Sequence, residues 1–264
     1  MILFSVCQKN LKSSLRGEYI DFIVSRFTFT LCTMATALVL FNMKGGGVTD
    51  TFLKFSGSVD YLGFMIAGTA LFGTTHGVLL NVSRTLMTER REGTLESVLL
   101  APFPRWQYYG GNQIHQLMLT GLDILMALFL AIPLGVEFHF NAASFLLAFI
   151  QFFTSLYGLA LLMSLLMISL RDTFFIQNTI IPLVLLTGGY LFPVDVLPLP
   201  LRVLAELIPV HRGVEMFREA VLLGRTIPFD RLYLLSLVPG IILLLAGYLL
   251  LPLIERKALE NYLS

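Results

Sequence analysis

FLLAFIQFFTSLYGLALLMSLLMISL, residues 145–170, is the stretch that decides the fold. It contains no charged residue, and its few polar side chains are scattered among leucine, phenylalanine and methionine. A helix needs about 20 mainly apolar residues to cross roughly 30 Å of bilayer hydrocarbon, because each residue adds about 1.5 Å. The stretch therefore predicts a membrane-spanning helix.

The composition of the whole chain agrees with that prediction. Of the 264 residues, 56% are hydrophobic and 13% are charged, about half the ~25% charged fraction of a soluble domain. Mean hydropathy is +0.80. Further apolar stretches predict five more spans, at residues 27–43, 61–82, 113–134, 175–192 and 232–253. We expect an all-α integral membrane protein with six transmembrane helices, built as a single domain over residues 1–264.

The positions of lysine and arginine predict the orientation of the spans. Basic residues gather in the segments on the same side of the membrane as the N-terminus. The short connections on the opposite side hold only Lys44 and Lys54. Positive charge is enriched on the cytoplasmic side of membrane proteins. We therefore expect a multi-pass protein of the cytoplasmic (inner) membrane with both termini in the cytoplasm.

The first residues predict a helix lying in the membrane interface. Apolar residues recur every four positions, at Leu3, Cys7, Leu11 and Leu15. Lys9, Lys12 and Arg16 fall on other faces. That pattern is typical of an amphipathic helix at the lipid surface.

The longest inner connection, residues 84–105, predicts a short amphipathic helix. Gly93 can break a preceding helix, Thr94 is a good N-cap, and Glu96 falls in the first turn, where the helix dipole favours an anion. Charged residues crowd the entrance: Glu89, Arg90, Arg91 and Glu92. They could meet a partner protein, or the connection could be an ordinary solvated loop.

The longest outer connection, residues 193–231, predicts two structured helical faces. Leu201, Leu204 and Ile208 share one face, and a second face follows at Val214, Phe217 and Val221. The alternative is an ordinary amphipathic loop.

A few polar and small residues lie inside the predicted spans. Asp123 falls midway through the third span, where an ionisable group is costly and is a functional candidate by default. It either lines a path or is paired for structural reasons. His76 and the Gly73-x-x-x-Gly77 spacing lie in the second span, and helix packing is the simplest interpretation of all three.

The chain has no motif for nucleotide chemistry of its own. The sequence lacks a Gly-x-x-x-x-Gly-Lys-Ser/Thr phosphate loop. It also lacks the His-Glu-x-x-His and Gly-x-Ser-x-Gly patterns of intramembrane hydrolases. We therefore expect no enzyme activity and no cofactor in this chain, and the net charge of +1 gives no reason to expect nucleic acid.

Three stretches resemble the permeases of the ABC-2 type, the membrane subunits of one class of ATP-binding-cassette exporter. The run at residues 89–102 is similar to their motif of glutamate, Gly-Thr, glutamate and leucine. Arg171-Asp172 at the cytoplasmic end of the fourth span and GGYLFPVDVLP at residues 188–198 are similar to two further family features.

The resemblance implies roles for particular residues and for partner subunits. A coupling element would rest on a separate ATPase and include Glu89, Arg90, Arg91, Glu92, Gly93, Thr94 and Glu96. An outer lid would include Pro193, Asp195, His211 and Arg218. Two ATPase subunits, which bind ATP and Mg²⁺, would work with this chain and a second copy or a close relative. The assembly, surrounded by membrane lipids, would export a drug, lipid or lipid-linked glycan along a path at the interface of the two permeases.

Two other functions stay open from the residues alone. In an ion-coupled secondary transporter, Asp123 would carry the ion. A scaffold protein would need no ATPase at all.

Overall fold

The structure is a computed structural model that describes residues 2–16, 24, 27–28, 31–32, 35–36, 39, 61–101, 104–170, 173–208 and 210–263. Most of the predicted first span, the outer connection after it and the pair Arg171-Asp172 lie outside the described residues. Every regular element with described boundaries is helical. In chain order these are α1 Ile2–Arg16, α2 Tyr61–Ser83, α3 Thr85–Arg91, α4 Leu95–Leu100, α5 Arg105–Ala131, α6 Ala142–Leu170, α7 Thr173–Thr187, α8 Leu199–Leu207, α9 Val210–Val221 and α10 Arg231–Leu263, with 3-10 turns at Ile132–Leu134 and Val194–Val196.

Four of the described helices are long and apolar enough to cross a membrane. They cover Leu62–Ser83, Trp106–Leu134, Ala142–Met167 and Arg231–Leu253. These agree with four of the predicted spans, although α5 begins eight residues before the predicted start at 113. The count of six is not reached among the described residues.

The predicted fifth span is shorter than expected. We predicted a span over 175–192, but α7 ends at Thr187 and its apolar part covers only Phe174–Thr187. The next residues are glycines, and Gly189 has a φ of +70°. That left-handed backbone conformation ends a helix and is available mainly to glycine.

α6 lies at the centre of the bundle. It packs against α10, α9 and α2, and its close contact with α10 depends on glycine. A β-carbon added at Gly158 would lie 2.7 Å from the backbone nitrogen of Leu244, and one at Gly240 would lie 2.7 Å from Ser155 Oγ. Small residues at these positions let the two backbones approach, as is common between membrane helices.

Polar side chains join the same helices inside the bundle. Gln151 Nε2 donates to the carbonyl of Ser236 at 2.9 Å, and Ser236 Oγ donates back to Gln151 Oε1 at 3.2 Å. Tyr233 donates its hydroxyl to the carbonyl of Leu147 at 3.0 Å. Hydrogen bonds between helices fix their register where no water is present.

α8 and α9 form a cap at one end of the bundle, and we call them the cap helices. The predicted face of Val214, Phe217 and Val221 is confirmed, because all three side chains are buried. Gly213 permits close contact with α6, since an added β-carbon would lie 2.5 Å from the Cα of Phe152. α3 and α4 lie at the opposite end, which we call the loop end.

Candidate functional site

The predicted site residues fall in three places: the loop end, the cap end and the interior of the spans. At the loop end, a glycine creates the turn between α3 and α4. Gly93 has a φ of +72°, and the N–H of Thr94 donates to the carbonyl of Glu89 at 2.9 Å. This bond across a left-handed glycine is the pattern of a Schellman C-cap. The prediction that Gly93 breaks the preceding helix is confirmed.

Glu89 is the centre of the loop end. Its side chain is only 9% exposed, and Lys9 Nζ lies 3.0 Å from its Oε1. The hydroxyl of Tyr108 donates to the same oxygen at 2.9 Å, and Thr94 Oγ1 donates to Oε2. One carboxylate therefore joins α1, the α3–α4 turn and α5.

The surroundings of Glu89 favour its charged form. Burial alone would raise the pKa of this carboxyl, but the hydrogen bonds from Thr94, Lys9 and Tyr108 outweigh burial, and the pKa lies below its ordinary value. A carboxylate that accepts three hydrogen bonds is held firmly in one position.

The rest of the α3–α4 turn faces outward. Arg91, Glu92, Gly93 and Thr94 are exposed, while the side chains of Arg90 and Glu96 lie outside the described part of the chain. Thr94 occupies the N-cap position of α4 as predicted, but its hydroxyl does not cap the helix. It binds Glu89 instead.

The helix after the turn packs against a cluster built from three long helices. Val98 of α4 packs against a cluster of Tyr108 and Tyr109 from α5, Leu161 and Leu165 from α6, and Leu251 from α10. Val6 of α1 packs against the same cluster. α4 contacts α10 directly, so a displacement of α4 would act on the cluster that joins α5, α6 and α10.

The cap end is organised around a buried arginine. Arg218 of α9 is only 6% exposed. Its Nη1 donates to the carbonyl of Gly189 at 2.8 Å, its Nη2 donates to the carbonyl of Tyr190, and its Cζ lies 3.5 Å from the ring centroid of Phe64. Burial lowers the pKa of the guanidinium to about 9, with Glu215 and Tyr190 opposing that change.

Tyr190, in the turn after α7, accepts from Arg218 through its carbonyl and also contacts α2. Its hydroxyl lies 2.6 Å from Thr75 Oγ1, and its ring meets Phe72 edge-on at a centroid distance of 5.9 Å. Gly68 leaves the space for this contact, since an added β-carbon would lie 1.8 Å from the carbonyl oxygen of Tyr190. α2 and the turn after α7 therefore touch at backbone distance.

The other predicted cap residues occupy different environments. Pro193 is buried, whereas Asp195 is exposed and forms an ion pair with Arg202. His211 is buried, with Nε2 3.7 Å from Glu206 Oε1. Burial lowers the pKa of His211, and the charge of Glu206 partly opposes that change.

An open cleft of about 500 Å³ lies beside the cap helices. Its walls combine apolar side chains of Met216, Ile227 and Tyr233 with several charged groups, among them Glu215. Glu215 is exposed at the cleft as a residue, but the protein around its carboxyl raises the pKa of that group to about 7, against the effect of Arg218.

The predicted residues inside the spans belong to neither end. Asp123 on α5 is half-buried, as are His76 and Gly73 on α2. A β-carbon added at Gly77 would meet no described atom within 4 Å, so this glycine makes no close helix contact within the described residues. No group of three potential metal-binding side chains occurs among the residues that the structure describes.

Sequence reasoning missed the residues that complete both ends. At the loop end these are Lys9 as a partner of Glu89, and Tyr108. At the cap end they are Phe64, Gly68 and Tyr190. Each is distant in sequence from the residue that it contacts, and nothing in one sequence pairs positions so far apart.

Comparison with known proteins gives a consistent result. Residues 2–222 match the family described as ABC-2 type transporter. The chain is 25% identical over 169 residues to the probable multidrug ABC transporter permease YbhR of Escherichia coli, in strain K12 and in O157:H7. That match covers 64% of this chain and 46% of each relative, so the chain spans about half the length of these relatives.

Proposed function

Since the chain belongs to the ABC-2 type transporter family, we propose that it is the membrane subunit of an ATP-driven exporter whose ATPase is a separate chain. The observation that carries this proposal is the arrangement around Glu89. An exposed turn is joined through one buried carboxylate to α1 and α5, and the following helix packs against a cluster shared by three long helices. Such an arrangement suits a contact that receives force at a surface and passes it into a membrane bundle.

In this proposal the ATPase binds the exposed part of the α3–α4 turn. Arg91 and Glu92 present opposite charges there, next to the exposed backbone of Gly93. Charges at the rim of an interface guide association and set its register. Glu89 has a different role, because it is buried. It holds the turn to the bundle and does not contact the ATPase directly.

The cap helices act as the lid at the far end of the path. The inner face of α9 is apolar and packs against α6, and Arg218 joins α9 to the turn after α7 and to α2. With the loop end in the cytoplasm, as the distribution of basic residues predicts, the cap faces the outside of the cytoplasmic membrane.

The substrate in this proposal is amphipathic or hydrophobic. The relatives in E. coli are named as probable multidrug permeases, and the described spans are largely uncharged. α5 and α10 also present apolar faces outward, since only 28% and 22% of their apolar spans are buried, against 67% for α2 and 61% for α6. Lipid and a second permease would cover these faces, in an assembly with two ATPase subunits.

Co-purification tests the proposal. The tagged chain is extracted in mild detergent together with a known complex that reports whether the extraction preserves assemblies. We expect a stoichiometric partner that carries a Gly-x-x-x-x-Gly-Lys-Ser/Thr loop and hydrolyses ATP. An extract that keeps the reference complex intact but contains no such partner would contradict the proposal.

A further inference from the structure

Arg218 is a buried charge that forms no ion pair with a carboxylate among the described residues, although the charge of Glu215 acts on it from a greater distance. Of its five N–H groups, the structure pairs two with backbone carbonyls, at Gly189 and Tyr190. Nε has no hydrogen-bond partner among the described residues. A buried cation is stable only where dipoles or opposite charges compensate its lost hydration. The position of Arg218 therefore depends on two carbonyls and one aromatic ring.

Arg218 and its partners lie in three different parts of the chain. Arg218 lies on α9, the carbonyls lie in the turn after α7, and Phe64 lies on α2. The guanidinium is thus the point where a cap helix, the end of a short apolar helix and a long spanning helix meet. A movement of the cap away from α2 would break all of these interactions together.

The space around the guanidinium is fitted closely to it. A β-carbon added at Gly68 would lie 2.4 Å from Arg218 Nη2, in addition to its overlap with the Tyr190 carbonyl. Gly68 therefore lets α2 approach both the guanidinium and its carbonyl partner. Close approach strengthens the cation–π and hydrogen-bonding interactions because water is excluded.

The same interactions can be exchanged for water when the cap lifts. Both carbonyls and the guanidinium are strongly hydrated groups, so exposing them recovers solvation that burial removed. Glu215 lies three residues before Arg218 on α9, a spacing at which side chains on a helix can pair, and its carboxyl lies at the cleft. In an open cap Arg218 would keep the charge of Glu215 on its own helix as a compensating partner.

We propose that Arg218 is the latch of the cap: its contacts with the carbonyls of Gly189 and Tyr190 and with the ring of Phe64 hold the cap closed, and cap opening consists of breaking them. The proposal rests on the proposed function only in treating the cap as a lid. In that transport cycle Arg218 is a positioning residue, because it acts through the placement of α9. It makes the closed state the resting state without fixing it permanently.

The test measures cap opening by thiol accessibility. In a background in which Cys7 and Cys32 are replaced with serine, Val214→Cys places one thiol on the buried face of α9, where the native side chain is fully buried. The protein is reconstituted in lipid nanodiscs, so that a membrane-impermeant maleimide can reach both sides. Labelling then reports opening of the cap, because a buried thiol reacts only during local opening.

Two matched controls separate a latch from general stabilisation. Arg212→Gln removes the same charge from the same helix, but the Arg212 side chain is 39% exposed and pairs with Glu206. Met163→Cys, made in place of Val214→Cys, puts the thiol at a fully buried position in α6, away from the cap.

The latch predicts a selective effect. Arg218→Gln should speed labelling at position 214 at least tenfold, with labelling at position 163 unchanged and with no effect of Arg212→Gln. Phe64→Leu, which removes the ring and keeps both carbonyl bonds, should speed labelling at 214 by about threefold. If Arg218→Gln yields no folded protein, Phe64→Leu decides the question alone.

Two results would overturn the latch. One is unchanged labelling at position 214 in whichever of these variants folds. The other is an equal increase at positions 214 and 163, which would mean that the arginine only stabilises the bundle as a whole. The assay contains no ATPase and no substrate, so failure of the proposed transport function would not alter its outcome.

Discussion

Lys9 and Glu89 are 80 positions apart in the sequence, yet the Lys9 ammonium lies 3.0 Å from the Glu89 carboxylate. The pair joins the first helix to the turn that we propose as the ATPase contact. Lys9 is 59% exposed while Glu89 is 9% exposed, so the stabilisation comes mainly from the buried carboxylate and its three donors. An exposed ion pair alone would contribute little.

Glu89→Ala should destabilise the protein markedly. The substitution removes the buried carboxylate that accepts hydrogen bonds from Lys9, Tyr108 and Thr94, and we expect a loss of about 3 kcal/mol in unfolding free energy. Thermal unfolding in detergent measures it. Glu92→Ala, at an exposed position in the same turn, should change stability by no more than about 0.5 kcal/mol. Equal losses in both variants would mean that Glu89 does not organise the loop end.

Gly93→Ala should separate stability from coupling. Gly93 and Gly135 both have positive φ, at +72° and +78°, and an added β-carbon would meet open space at each. Alanine should therefore cost about 1 kcal/mol at either position through backbone strain. We expect only Gly93→Ala to lower the amount of substrate transported per ATP hydrolysed, because Gly135 lies far from the α3–α4 turn. Equal coupling in the two variants would argue against the turn as the point of force transfer.

Glu215 should make the stability of the cap depend on pH. Its folded-state pKa of about 7 is above its unfolded value of about 4.3, so the folded state holds its proton more tightly. The contribution is therefore fully present below the unfolded pKa and is lost as the pH rises through about 7. Tm measured from pH 4.5 to 8 should fall more steeply in the parent protein than in Glu215→Gln.

Glu219→Gln provides the control for that measurement. Glu219 lies on the same helix and pairs with Arg225, so its replacement removes one carboxylate and leaves Glu215 in place. We expect this variant to keep most of the pH dependence of the parent, because the charge of Glu219 raises the pKa of Glu215 less than burial does. A parent and a Glu215→Gln variant with the same dependence would show that Glu215 is hydrated like an ordinary surface glutamate.

Gly158→Ala should disrupt the contact between α6 and α10. The added β-carbon would lie 2.7 Å from the backbone of Leu244, so one of the helices must shift, and we expect a loss of about 2 kcal/mol. Gly121→Ala, within α5 and facing open space, should be neutral or stabilise by up to about 1 kcal/mol through helix propensity. Thermal unfolding of the two variants checks the difference, and a neutral Gly158→Ala would contradict the packing.

Local patterns in the sequence predicted much of the helical architecture. The apolar stretch at 61–82 corresponds to α2, the break at Gly93 is present, and the face of Val214, Phe217 and Val221 is buried as expected. These features depend on residues within a few turns of one another, where helical periodicity and glycine conformation are sufficient.

The contacts that define the candidate sites could not be predicted in the same way. From the sequence alone, Glu89 is one of several charges in a solvated loop. Only the fold shows that Lys9 of α1 and Tyr108 of α5 bind its carboxylate. From the sequence alone, Arg218 is likewise a polar residue of an amphipathic helix. Its burial depends on Gly68, which leaves space for the guanidinium. In both cases the function of the residue is set by tertiary contacts that override the local pattern.

Site-specific photo-crosslinking tests the central claim most directly. A photoreactive residue is placed at Glu92, in the exposed α3–α4 turn, and separately at Glu137, which is exposed near the cap end. We predict a crosslink from position 92 to a separate ATPase that carries a phosphate-binding loop, and none from position 137. The absence of a crosslink from position 92 in an intact complex, or equal crosslinking from both positions, would contradict the claim that the ATPase binds this turn.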